Sequence, residues 1–172
     1  LPPTDADLTL SSGGPGSPLD GYEDPWCTGY RRFLDHVVAE NQRSALGAPA
    51  VFAVCHSFQL AVQHFGVGRM HPRSAKKFGV MPIYPTPEGQ KSLLFQEFGD
   101  RLFAFEHRNW EALELNEARL HELGGVLLAR ESRDGHSKGQ GLMAFRFALG
   151  VEGTQFHPEA DRAGVVAWIN KP

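Results

Sequence analysis

The chain has 172 residues, of which 41% are apolar and 22% charged, and a net charge of −3. That suits one domain with a real hydrophobic core, without the basic footprint of a nucleic-acid binder or an apolar run near the ~20 residues of a membrane span. Leu1-Pro2-Pro3-Thr4-Asp5 has neither the basic nor the apolar region of a signal peptide, and the two cysteines, Cys27 and Cys55, form no disulfide framework. A reducing, cytoplasmic setting is expected, with Cys27 as a packing residue beside Trp26.

Asp7–Ser11 reads as a short strand running into Ser12-Gly13-Gly14-Pro15-Gly16-Ser17-Pro18, which is too rich in turn formers for helix or central strand. Asp24-Pro25 starts a helix with proline at its first position. Trp26, Tyr30, Phe33/Leu34 and Val37/Val38 give that helix an apolar face to about Ser44. After the break at Gly47-Ala48-Pro49, Ala50–Val54 is a strand, and Phe58 to Phe65 a helix ending at Gly66. Phe78–Tyr84 predicts a strand with an edge-type proline, and Leu102–Phe105 another. Ala118–Leu123 is a short helix stopped by Gly124-Gly125, and Val126–Ala129 the strand after it. Arg133–Gly139 is a polar loop. Gly141–Phe147 and Val151–Phe156 form a hairpin about Leu149-Gly150. Strand–helix alternation followed by paired strands implies a layered α/β domain with a mixed sheet.

The chemistry concentrates at two strand ends. His157 and Glu159 stand two residues apart after Val151–Phe156, a spacing that puts both side chains on one side of an extended segment. Pro158 biases His157 toward that extended backbone. Cys55 follows the strand Ala50–Val54 in Ala53-Val54-Cys55-His56-Ser57, the small-x-nucleophile-x-small pattern of a strained strand-to-helix turn. Thiol, imidazole and carboxylate are the parts of a nucleophile–base–orienter triad. In this reading the helix N-terminus lowers the thiol pKa, and the amide of His56 serves as an oxyanion donor. Taken alone, a cysteine ending an apolar strand is more often a core residue than a nucleophile, and His56 is a rival base. Side chains adjacent in such a turn diverge, so His56 is the weaker choice.

Three ordered segments then carry a resemblance that covers nearly the whole chain. Ser12-Gly13-Gly14-Pro15-Gly16-Ser17-Pro18, Cys55 with Gln59, and Gln155-Phe156-His157-Pro158-Glu159 resemble the signatures of class I glutamine amidotransferase domains. The first and third are near-perfect and the second is degenerate. The resemblance implies a three-layer flavodoxin-like α/β domain with a mixed, mostly parallel sheet and a Cys55–His157–Glu159 triad. It implies an oxyanion strap at Gly14 and Gly16 and a glutamine contact at Gln59, which otherwise reads as a polar position on an amphipathic helix. Residues 1–172 would be one such domain, cut at both ends, with the family's first strand–helix–strand unit missing.

The implied activity is hydrolysis of the glutamine side-chain amide through a cysteinyl thioester, releasing ammonia to a separate synthase subunit or acting alone. The alternatives are a hydrolase of γ-glutamyl peptides or conjugates using the same triad, and a non-catalytic homologue that binds a partner. No cofactor is implied. His36, His64, His71, His121 and His136 lack ligand spacing, so no metal site is expected. The sequence departs from the family pattern at Ala53, Ser57 and Phe58, at Lys77 where many members are acidic, and at Arg108 where the usual residue is glycine. On this reading Phe58 removes a polar group beside the nucleophile, and Arg108 crowds the glutamine pocket.

Overall fold

A computed structural model describes residues 6–43, 47–133 and 140–170. The chain-opening residues 1–5, the expected helix end at Ser44, His136 with most of the polar loop, and residues 171–172 lie outside them. In chain order the elements are β1 (Leu8–Ser11), α1 (Pro25–Arg43), β2 (Ala50–Val54), α2 (His56–Phe65), β3 (Arg69–Pro85), β4 (Leu102–Leu113), α3 (Glu117–Glu122), β5 (Val126–Arg130), β6 (Leu142–Ala148), β7 (Val151–Thr154) and α4 (Arg162–Ile169), with a 3₁₀ turn at Gly89–Lys91.

The helices form where the apolar spacing places them. α1 buries Cys27, Tyr30, Phe33, Leu34 and Val37 along one stripe. α2 buries Phe58, Leu60, Ala61, Val62 and Phe65 and stops at Gly66, whose left-handed φ of 67° lets its N–H reach the carbonyls of Val62 and Gln63. Both helices pack into a core with Phe145, Phe147 and Val151. A second cluster contains Ile83, Phe95, Leu128, Met143 and Phe156. Adjacent residues of β5 (Leu127, Leu128) and of β6 (Leu142, Met143) enter different clusters, so the sheet is covered on both faces.

The seven strands run in the order β1-β2-β7-β6-β5-β3-β4. The sheet is mixed, as expected, but parallel pairing does not dominate it. β1/β2 and β2/β7 are parallel, while β7/β6, β6/β5, β5/β3 and β3/β4 are antiparallel. Parallel neighbours need long crossovers, which α1 supplies between β1 and β2; the second half of the chain turns back through hairpins instead.

Two strands are longer than the sequence pattern predicts. β3 begins at Arg69 and β4 runs to Leu113, with a register irregularity between Pro72 and Lys77. Polar residues interrupt the apolar alternation there, which hides both extensions. β3 meets β5 only at Tyr84 and Pro85, so most of it has one strand neighbour, an edge-like setting that tolerates Pro72 and Pro82. The apolar stretch Val165–Ile169 lies within α4, and β7 ends at Thr154, short of Phe156. Among the described residues, no helix is long and apolar enough to cross a membrane. The carboxyl ends of β1, β2 and β7 point the same way, which brings residues 12–16, Cys55 and His157 to one rim.

Candidate active site

β2 delivers Cys55 into a turn that ordinary residues avoid. Its φ of 53° and ψ of −104° lie outside the favoured regions, and it caps α2 without a side-chain capping bond. Such a conformation costs about 1–3 kcal/mol and persists only where its surroundings enforce it. Here the enforcement is local. Cys55 N–H donates to Thr154 O at 2.8 Å, and Cys55 O accepts from Gln59 N–H at 3.0 Å. Ala53 is fully buried against β7, where a Cβ added to Gly153 would lie 2.4 Å from Ala53 O and 3.1 Å from its Cβ. That contact is why the position two before the cysteine must be small.

The strap after β1 is tied to the same turn. Ser57 donates to Ser12 O at 2.5 Å and accepts from Ser11 Oγ at 2.8 Å. Ser57 thus bonds the elbow to the strap. Gly13, which the sequence reading passed over, makes the closest approach. A Cβ there would sit 3.0 Å from Cys55 Cβ, 3.6 Å from Cys55 Sγ and 3.2 Å from His157 Cε1. Gly14 lies beside the His56 ring, and Gly16 needs glycine for its φ of 113°.

His157 and Cys55 Sγ therefore flank one point in space, though they come from different strands. His157 N–H donates to Phe105 O at 2.9 Å, which fixes its backbone to β4. Its Nδ1–H donates to Glu159 Oε1 at 2.8 Å, leaving Nε2 as the second ring nitrogen. The expected same-side placement of His157 and Glu159 is thus met just beyond the end of β7. The ring of His56 is held elsewhere, 6.5 Å from the Trp26 ring and against the backbone at Ser17. Its backbone amide faces the thiol.

Behind the thiol is a buried amide pair. Gln155 Nε2 donates to Cys55 Sγ at 3.9 Å, and its Oε1 accepts from Gln59 Nε2 at 3.1 Å. Both glutamines are buried, and Gln59 also lines the cleft. Burial pushes the Cys55 thiol up to about 11, outweighing the lowering influences of Arg108 and the His56 amide. This overturns the expectation of a depressed thiol pKa: desolvation exceeds the helix-end effect. Burial therefore favours the protonated thiol.

Three of the five divergent positions also fall differently from expectation. Phe58 is fully buried, with its ring 5.9 Å from Phe145 and 5.6 Å from Phe147, so it is a core residue and not a wall of the site. Arg108 borders the cleft, but its guanidinium is buried, bonding Glu106 at 2.5 Å, Glu131 at 3.2 Å and Trp110 O at 3.2 Å. Lys77 pairs with Glu131 and, at 3.4 Å, with Glu106. Arg73 joins through Glu111 and Glu131. Lys77 and Arg108 thus belong to one charge-balanced network under the β3/β4 hairpin.

The cleft is about 570 Å³ and is bounded by residues 12–16, Cys55, Gln59, 107–110, His157 and Glu159. Among the described residues, no group of three or more His, Cys, Asp or Glu side chains is placed to hold a metal ion. Cys27 and Cys55 are both free and buried.

No family model matches the sequence, and no curated protein matches it. Solved structures do match the fold. A glutamine amidotransferase from Thermotoga maritima superposes with a TM-score of 0.70 at 15% identity, over 95% of this chain and 60% of that one. A putative GMP synthase subunit from Thermoplasma acidophilum gives 0.62 at 20% identity, over 95% and 70%. The glutaminase domain of Trypanosoma brucei CTPS, solved with bound acivicin, gives 0.61 at 15% identity, over 89% and 63%. The chain thus spans about three-fifths of the length of the first of these proteins. With its mixed seven-stranded sheet and the turn at Cys55, the chain has the α/β fold of class I glutamine amidotransferases.

Proposed function

We propose that this chain is a glutamine amidotransferase-type amidohydrolase, in which Cys55 opens the side-chain amide of glutamine or of another γ-glutamyl compound. The observation that carries the proposal is the convergence at Gly13: a nucleophile in a strained turn and an imidazole anchored by a carboxylate both lie within 4 Å of one point. Cys55 Sγ bonds to the amide carbon as its proton passes to Nε2 of His157. The carbonyl oxygen becomes an oxyanion facing the His56 amide and the backbone of Gly14 and Gly16. His157 returns the proton to the nitrogen, the C–N bond breaks and ammonia leaves. Water, activated by the same imidazole, then hydrolyses the thioester. Glu159 holds the ring through Nδ1 and stabilises the imidazolium.

In this mechanism His157 takes the proton of the buried thiol as Cys55 attacks. Gln59, bonded to Gln155, supports the thiol from below as well as contacting substrate. By likeness to the CTPS domain and the GMP synthase protein, ammonia would pass to a synthase partner, and two unpaired thiols suit a cytoplasmic setting. The test is a rapid acid quench with carbon-labelled glutamine. Label retained on the wild-type protein at Cys55, absent from Cys55→Ala, supports the thioester. Ammonia release without any covalent label under single-turnover conditions contradicts it.

A further inference from the structure

A second cleft of about 570 Å³ adjoins the first. Its lining includes Leu94, Phe98, Phe103, Phe105, Pro158 and Val166, and His157 is the one described residue that borders both clefts. Phe98 and Phe103 line the second cleft while 53% and 60% exposed. An aromatic lane leads into this groove. Phe78 stands edge-on to both His107 and Phe105, at 5.4 and 5.5 Å, and Phe105 lies 6.1 Å from the His157 ring.

The position of His157 says which part of a substrate belongs there. The imidazole that protonates a leaving nitrogen must touch that nitrogen, so any substituent on the nitrogen begins at His157. With the acyl half at the thiol and strap in the first cleft, the second cleft, which His157 also lines, is the space left for the substituent. Glutamine has no such substituent and leaves the groove unused.

We infer that the groove beside His157 binds the leaving amine of N-substituted γ-glutamyl amides, and that it selects amines carrying an aromatic group. This rests on the thioester reading above and names its substrate class. The step balances as the glutamine reaction does. The S–C bond forms, the C–N bond breaks, and the thiol proton leaves on the aromatic amine through His157. Water then releases glutamate and restores the thiol. Clefts of this volume with mostly apolar walls suit small-molecule groups, and one methylene in such a pocket discriminates by roughly 10–200-fold.

The test compares kcat/KM for glutamine, γ-glutamyl-methylamide and γ-glutamyl-benzylamide on the intact protein, with Phe98→Ser and Phe103→Ser variants. Both variants alter exposed side chains and so spare the core. The benzylamide should exceed the methylamide by at least about tenfold. Either variant should cut that ratio severalfold, mainly through KM for the benzylamide. Turnover of glutamine with no preference for the benzylamide, or a preference that neither variant reduces, overturns the groove assignment and leaves the thioester standing. No turnover of any of the three overturns both.

Discussion

The two ends of the sheet handle polar chemistry in opposite ways. At the β1-β2-β7 end, the proposed chemistry rests on backbone: a positive φ at Cys55, a glycine strap and a proline-fixed histidine, with few charges. At the β3/β4 end, three cations and three carboxylates are interlocked beneath a hairpin, and Arg108 and Glu106 are almost wholly withdrawn from solvent. The first region stores strain where a reaction would occur. The second stores charge where a strand pair must stay in register. Changes at the first should therefore alter turnover, and changes at the second should alter stability.

The sharpest separation comes from Cys55→Ala, expected to remove about 10⁴-fold or more of kcat with little change in the urea midpoint. His157→Ala should lose nearly as much, and the double variant little more, because the two act as one unit. Glu131→Ala should do the reverse. It removes one of the two carboxylates that Lys77 and Arg108 share and leaves Glu106 alone to balance them, at a cost of about 3–5 kcal/mol in urea unfolding.

The pH dependence of that network has a definite sign. Burial raises the Glu131 pKa, but Arg108, Lys77 and Arg73 outweigh burial and hold it below its usual 4.5. Its contribution is present above about pH 4.5 and is lost as pH falls through the lower folded value. Acid titration of the unfolding midpoint should be flatter in Glu131→Ala than in the wild type. An unchanged acid limb would break the contrast between the two regions.

Smaller effects refine the reactive end. Glu159→Gln should lower kcat by about ten- to a hundredfold, less than loss of the base, because the half-exposed carboxylate can be replaced in part by water. Ser57→Ala should cost about 1 kcal/mol for its lost hydrogen bonds and raise KM severalfold as the strap loosens. If Ser57→Ala left KM unchanged, the strap would be held by backbone alone.

The same contrast explains what the sequence revealed. Motifs that impose backbone conformations were legible: the glycine strap, the turn at Cys55, and His157 fixed by Pro158. The spacing of His157 and Glu159 predicted their contact, and Gly66 marked the end of α2. What depends on where a side chain turns was not legible. The sequence resemblance set Phe58 and Arg108 beside the substrate, yet one ring goes to the core and one guanidinium to a buried network. Glu106, Glu131 and Lys77 meet only because β3 and β4 extend well beyond their apolar segments. Gly13 carried a signal, the first of two consecutive glycines, but only the packed structure shows which of the two approaches the thiol. The thiol pKa was misjudged for a related reason, since burial depends on everything packed around Cys55.

The central claim, that Cys55 is the nucleophile of a γ-glutamyl site, is tested most directly by incubating the intact protein with a glutamine-analogue diazo-ketone and mapping the adduct by peptide mass spectrometry. The account predicts one adduct, at Cys55, slowed by glutamine and absent from Cys55→Ala and His157→Ala. An adduct at Cys27, or no adduct on folded protein, would contradict it.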